Sequence, residues 1–333
     1  RLEDKLCAVL AAGQDPICSV GNVTRLLAIE TPTPWGDNFY VADTEGTIRQ
    51  RIYALTQAYF AKLREDEDWI ARLARDGIPS IYGIQPDREW SPTDRCRVIM
   101  ATRPAGPFAQ YEMAEYDFPI ESLDLVALAD AFYNQPEDIA RFDSYRVPHA
   151  GYTEFFVCTH GHVDICCAKF GIPLYNQARA LFPQVRAWRM THFGGHRFAP
   201  TAWEFPTGYK WAFLDSDAAE HVLQRDVHPS ELAMKLRGWS GMPGHSQILD
   251  REGLSRHGWD WLNFKRRGEI LEADTEAKRW RVRIEFESPA GERGVYTATV
   301  VVGRELPNVG CGPHYGEWDH KAPEYTIESF SES

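Results

Sequence analysis

A chain of 333 residues, 44% hydrophobic and 25% charged with 13% aromatics, is long enough to bury a sizeable core in one long domain or two and is not the composition of a disordered chain. Its net charge of −12 argues against partners that need a positive footprint, namely nucleic acid and an anionic membrane surface. No apolar run approaches the roughly 18 residues of a membrane helix, and the charged opening "RLEDKLCAVLAAGQDPIC" lacks the apolar centre of a secretory signal.

In chain order, "TRLLAIE" (24–30) reads as a buried strand, and a long amphipathic helix follows from Thr47 to a stop at Gly77. Strands are predicted in "SIYGIQ" (80–85), "CRVIMAT" (96–102) and "FAQYEMAEYDF" (108–118), then a helix over 122–135 with Ser122 as its N-cap. The second part repeats the order. A strand "TEFFVC" (153–158) precedes a helix over 173–182 with Pro173 in its first turn. Strands follow in "QVRAWRMTH" (184–192), "PTAWEF" (200–205) and "YKWAFLD" (209–215), then a helix over 216–227. Both parts read β-α-β-β-β-α, a thioredoxin-like order.

The expected fold class is α/β (α+β), with two thioredoxin-like halves and a C-terminal extension made of helix and β-hairpin. The predicted divisions are a lobe over 1–148 without metal ligands, a metal-carrying domain over 149–245, and an extension over 246–333 packed on the second domain. "HPSELAMKLRGWSG" is predicted as a helix ending at Gly238, and 280–303 as a hairpin around Pro289-Ala290-Gly291. The tail after "LPNVGCG" is polar and acidic and is expected to be loosely ordered.

Seven cysteines, an odd number thinly spread, are unlike a secreted disulfide scaffold, so a cytoplasmic location is expected. All 11 histidines lie between His149 and His320, which assigns imidazole chemistry to the second part of the chain. "VCTHGHVDICCAKFGIPLY" (157–175) follows a strand and precedes a helix whose N-terminus would favour a thiolate. A dithiol switch would place C-x-x-C there. This chain has C-x8-C between Cys158 and Cys167, a large ring for such a switch. A second loop, "MTHFGGHRFAPTAW", carries His192 and His196; its Phe193-Gly194-Gly195 disfavours a helix, and no Glu stands where a zinc enzyme's general base belongs. Parallel strands 153–158 and 184–192 end on one sheet edge, so Cys158, Cys167, His192 and His196 are expected to converge on a metal. Two thiolates and two imidazoles suit zinc or a mixed-ligand iron–sulfur cluster. The eight-residue spacer is loose for a zinc knuckle and better suited to a two-iron core. A metal-free thiol oxidoreductase using Cys158 with Cys166 or Cys167 is the remaining reading.

"VCTHGHVDICCAKFG.PLY" and "THFGGHRFAPTAWEFPTG" resemble the sucrase/ferredoxin-like family, and "TPTPWG" (31–36) resembles a signature of its first half. The likeness spans about residues 18–245. It implies a thioredoxin-like ferredoxin whose [2Fe–2S] cluster is held by Cys158 and Cys167 on one iron and by His192 and His196 on the other. It also implies electron transfer with a redox partner protein. No residue is assigned a catalytic role, and no carboxylate pair supports reading the family's "sucrase" label as a glycosidase.

Neighbouring residues have plainer expectations. His160 and His162 read as polar loop residues, Cys166 as a small buried hydrophobe, and Asp164 as a helix cap. Arg197 reads as a structural or surface ion pair, and "HGWDWLNF" (257–264) as a core stripe. Cys7, Cys18, Cys96 and Cys311 read as scattered core residues, and "VGCGPHYG" (309–316), with His314, as an ordinary turn.

Overall fold

The computed structural model describes residues 6–36, 46–308, 310–311 and 320–333. The chain opens with a short helix, α1 (Cys7–Leu10). Strand β1 (Val23–Glu30), apolar at Leu26, Leu27, Ala28 and Ile29, pairs parallel with β2 (Ile78–Ile84) and antiparallel with β3 (Arg95–Thr102). β3 pairs in turn with β4 (Glu112–Pro119). The crossover from β1 to β2 carries α2 (Ile48–Leu63), capped by the Thr47 side chain, and α3 (Trp69–Asp76). One helix was expected there. The run Arg64–Asp68 has nothing apolar to bury and interrupts it. Helix α4 (Leu123–Asn134) starts where Ser122 predicts, with the Ser122 hydroxyl accepting the Asp124 N–H. Strand β5 (Arg146–Val147) closes this edge against β4.

The second half repeats the scheme with β6 (Thr153–Cys158), α5 (Ile165–Leu181), β7 (Val185–Met190), β8 (Ala202–Phe205), β9 (Tyr209–Trp211), α6 (Ser216–Gln224) and β10 (Leu236–Trp239). All ten strands form one sheet in the order β10-β9-β8-β6-β7-β2-β1-β3-β4-β5. Its halves, β2-β1-β3-β4 and β7-β6-β8-β9, share both strand order and strand direction. They meet where β2 runs antiparallel to β7, with Ile84 opposite Met190. The Gln85 N–H donates to the Arg189 carbonyl at 2.9 Å and the Thr191 N–H to the Gly83 carbonyl at 2.9 Å across that seam.

Three expectations are corrected. Helix α5 begins at Ile165, not Pro173, because the Asp164 carboxylate accepts the Cys166 N–H at 2.8 Å and caps it there. Pro173 removes one interior hydrogen bond, while Leu174 and Ala178 on the same helix reach the core. The segment expected as a helix to Gly238 is a 3-10 turn (Pro229–Lys235) followed by β10, whose Trp239 is buried and opposite Tyr209.

The tail is the third. After α7 (Gln247–His257), strands β11 (Lys265–Asp274), β12 (Arg279–Glu287), β13 (Arg293–Asn308) and β14 (His320–Glu332) form an antiparallel sheet. β14 pairs along β13 from Tyr296 opposite Glu332 to Asn308 opposite His320, and packs Tyr325, Ile327 and Phe330 against the core. Arg266 ties this sheet to the rest. Its buried guanidinium donates to Asp250 at 2.8 Å and to the Tyr209 hydroxyl at 2.9 Å, and its N–H donates to the Phe108 carbonyl at 3.0 Å. The Trp261 ring is buried as the core stripe predicts. No helix among the described residues is long and apolar enough to cross a membrane.

Candidate metal centre

The parallel pair β6–β7 delivers the first ligand-type side chains. Cys158 ends β6 opposite Met190, the last residue of β7, and His192 follows two residues later at the same edge. Cys167 lies in the first turn of α5, where exposed backbone N–H groups and the helix dipole favour negative charge. These three side chains converge. His192 Nδ1 lies 3.6 Å from Cys158 Sγ and 3.6 Å from Cys167 Sγ, and all three atoms fall within 4.8 Å of one another. Gly171 allows the approach, since a Cβ there would stand 2.1 Å from the Cys158 carbonyl oxygen. Both cysteines are buried and His192 is half-buried.

His196 arrives through a loop in which Gly194 (φ 87°) and Gly195 (φ 81°) take left-handed conformations that only glycine adopts without strain. Its ring centroid is 5.9 Å from that of His192. Its Nδ1 faces Asp164 Oδ2 at 3.0 Å and Cys7 Sγ at 3.2 Å. An imidazole that donates Nδ1–H to a carboxylate keeps its lone pair on Nε2, the usual arrangement of a metal-binding histidine. Asp164 is therefore the cap the sequence predicts and also the acceptor for His196.

Two buried cations hold this loop from below. Arg237 donates to the Gly194 carbonyl at 2.9 Å and to Ser19 through its carbonyl at 2.9 Å and its hydroxyl at 3.1 Å. Lys210 donates to the Phe193 carbonyl at 3.2 Å, with its Nζ 3.8 Å from the Trp203 ring centre. Burial pulls Arg237 down to about 10 and Lys210 well below the lysine range, and the nearby Cys158 sulfur opposes both shifts. The sulfurs balance each other too. Against the cost of burial, Cys167 and His192 hold the Cys158 thiol well below its ordinary range, while the hydrogen bond to Cys158 pushes Cys167 up.

His160 is buried and positions the site. Its Nε2 donates to the Gly36 carbonyl at 2.9 Å, its Nδ1 accepts the His192 N–H at 3.3 Å, and burial lowers its proton affinity. The Trp35 ring stands edge-on to it at 5.4 Å, so "TPTPWG" of the first half forms part of the wall of a site in the second. His162 is exposed. Arg197 lies 4.3 Å from the centre of the Phe198 ring, and burial lowers its pKa.

A second set of ligand-type side chains lies on the far side of Asp164. Cys7, Cys166 and Cys311 join Asp164, all four buried and with one ligand atom from each within 4.8 Å of the others. Cys166 is buried in a small apolar cluster, as the sequence predicts, and its sulfur also meets ligand-type side chains. Consecutive helical residues point about 100° apart, so Cys167 faces His192 while Cys166 faces this group. Nothing in the spacing of Cys7 and Cys311, 304 residues apart, signalled their meeting. His314 lies outside the described residues. A third set, Glu115, His149 and Glu154, already surrounds a cation, the Arg186 guanidinium, which lies 2.6 Å from Glu115 and 2.9 Å from Glu154.

A profile of the Sucrase/ferredoxin-like family matches residues 16–238. The chain belongs to that family. The match ends at Gly238, within β10, so the extension with its four-stranded sheet lies beyond it, as do Cys7 and Cys311. Neither a curated protein nor a solved structure matches the chain significantly. In this family member, the groups of buried Cys, His and Asp side chains are close enough in space to hold a metal.

Proposed function

We propose that the chain is a cytoplasmic electron-transfer protein carrying one [2Fe–2S] cluster, held by Cys158 and Cys167 on one iron and by His192 and His196 on the other. It would exchange electrons with a redox partner protein. The observation that carries this reading is the meeting of two sulfurs and an imidazole nitrogen within 4.8 Å at the β6–β7 edge, with the second imidazole ring 5.9 Å from the first. That second ring stands outside the tight trio. The donor types fit as well, with two sulfurs and two imidazoles gathered at one sheet edge.

The cluster would supply one-electron chemistry, and the chain's own residues set its direction. Replacing two thiolates by neutral imidazoles leaves the site about two charges less negative. This moves the potential from about −400 mV toward the roughly −150 to +300 mV of Cys2His2 centres. Arg237 stabilises added negative charge and shifts it the same way. The half-buried histidines mark the side from which a partner would approach.

Visible absorption, EPR and iron–sulfide analysis of anaerobically purified protein test the proposal. The expected result is two iron and two sulfide per chain, with a reduced-state average g below that of all-Cys clusters. Colourless, EPR-silent protein refutes it. A second reading, one zinc ion on the same four residues, is favoured by the 3.6 Å from His192 to each sulfur. That is close to the edge of a tetrahedron around a single ion with bonds of about 2.0–2.3 Å. It predicts zinc and no redox signal.

A further inference from the structure

We propose that Cys7, Cys166, Cys311 and Asp164 form a second, separate metal site that takes a single zinc-class divalent ion. Three observations carry it. First, the donors have tetrahedral spacing. Cys7 Sγ lies 3.7 Å from Cys166 Sγ and 3.7 Å from each Asp164 oxygen, and Cys166 Sγ lies 3.1 Å from Cys311 Sγ. Metal–sulfur bonds of about 2.3 Å place tetrahedral sulfurs about 3.8 Å apart. The 3.1 Å edge is an S–H···S contact that opens when a metal replaces the proton, and it is far longer than the roughly 2.05 Å of a disulfide.

Second, the backbone is already arranged for thiolates. The Cys7 N–H donates to Cys311 Sγ at 3.1 Å, and the Ala8 N–H faces Cys166 Sγ. Cys166 stands in the capped first turn of the 17-residue helix α5. Third, three sulfurs with one carboxylate select a soft, tetrahedral ion, whose binding displaces thiol protons to solvent with no redox step.

The site would fasten two segments 304 residues apart to the start of α5. It would also connect the two centres through one residue. Asp164, the oxygen ligand here, accepts the hydrogen bond from His196 that orients its ring for the first centre. Asp164 is a ligand at one site and a positioning residue at the other.

The test uses the full chain, reconstituted with zinc under reducing conditions and stripped of loosely bound metal. Wild type is expected to retain one zinc per chain, and so are Cys158→Ser and Cys18→Ser. Cys7→Ser and Cys311→Ser are expected to bind at least tenfold more weakly in chelator competition. Cobalt titration of the Cys158→Ser chain gives a readout independent of folding in the other variants. Thiolate-to-cobalt charge-transfer bands of three-sulfur intensity are expected. Wild type that retains no zinc, zinc held equally well by Cys311→Ser, zinc lost in Cys158→Ser, or a Cys166–Cys311 disulfide in peptide maps each overturns the proposal. Iron content and the cluster spectrum report separately on the first centre.

Discussion

The glycine pair between His192 and His196 gives a sharp test of how the loop is held. Gly194 and Gly195 both have positive φ, so alanine at either position costs about 1 kcal/mol in backbone strain. Their surroundings differ. A Cβ on Gly194 meets nothing within 4 Å, whereas one on Gly195 would lie 2.4 Å from Arg237 Cζ and 2.5–2.6 Å from its two terminal nitrogens. The guanidinium must then leave its three hydrogen bonds to Ser19 and Gly194. At about 1.5 kcal/mol for each charge-assisted bond, this adds about 4.5 kcal/mol. Urea unfolding should therefore show Gly195→Ala destabilised by about 5.5 kcal/mol and Gly194→Ala by about 1 kcal/mol. In an Arg237→Ala background the cost of Gly195→Ala should fall to that of Gly194→Ala, a coupling that a double-mutant cycle measures. Equal costs for the two glycines, or a Gly195→Ala cost that ignores Arg237, would show that the guanidinium does not hold this loop.

His192→Cys should keep a cluster, raise its average g toward all-Cys values and lower its potential; unchanged spectra would remove His192 from the ligand set. Burial raises Glu30 to about 7, against hydrogen bonds from Ser91 and the Arg97 N–H. The folded state therefore binds this proton more tightly than the unfolded chain does, and the resulting stability, complete below about pH 4.5, is lost as pH rises through 7. Glu30→Gln should flatten that part of a stability–pH profile, which is on the order of 3 kcal/mol; an unchanged slope refutes it. Arg186→Met leaves Glu115 and Glu154 buried without their shared cation and should cost about 3–5 kcal/mol in denaturant unfolding, whereas a loss below about 1 kcal/mol would show that the network carries little.

Much of the fold was legible because local chemistry and burial agreed. The apolar runs of β1, β3, β6 and β8 and the Ser122 cap appear where their residues place them, and the repeated order of elements becomes a repeated strand order. The failures share a cause. Pro173 read locally as a helix start, and "SELAMKL" as helix-forming, but the Asp164 cap and pairing with β9 outweighed these preferences. The polar tail looked loose because β14 exposes one face; its other face is covered by the core, and sequence alone does not say which strand will pair with it.

The sequence by itself determined the chemistry available: which residue types lie at the ends of which strands, and that Cys158, Cys167 and His192 follow from one βαβ unit. Only the tertiary structure decided which sulfurs share a centre. The rotation of about 100° per helical residue sends Cys167 to one group and Cys166 to the other. The fold then brings Cys7 and Cys311, 304 residues apart, to meet Cys166. Contacts between residues so far apart are set by how helices, strands and the extension pack, and no periodicity in the chain encodes that packing.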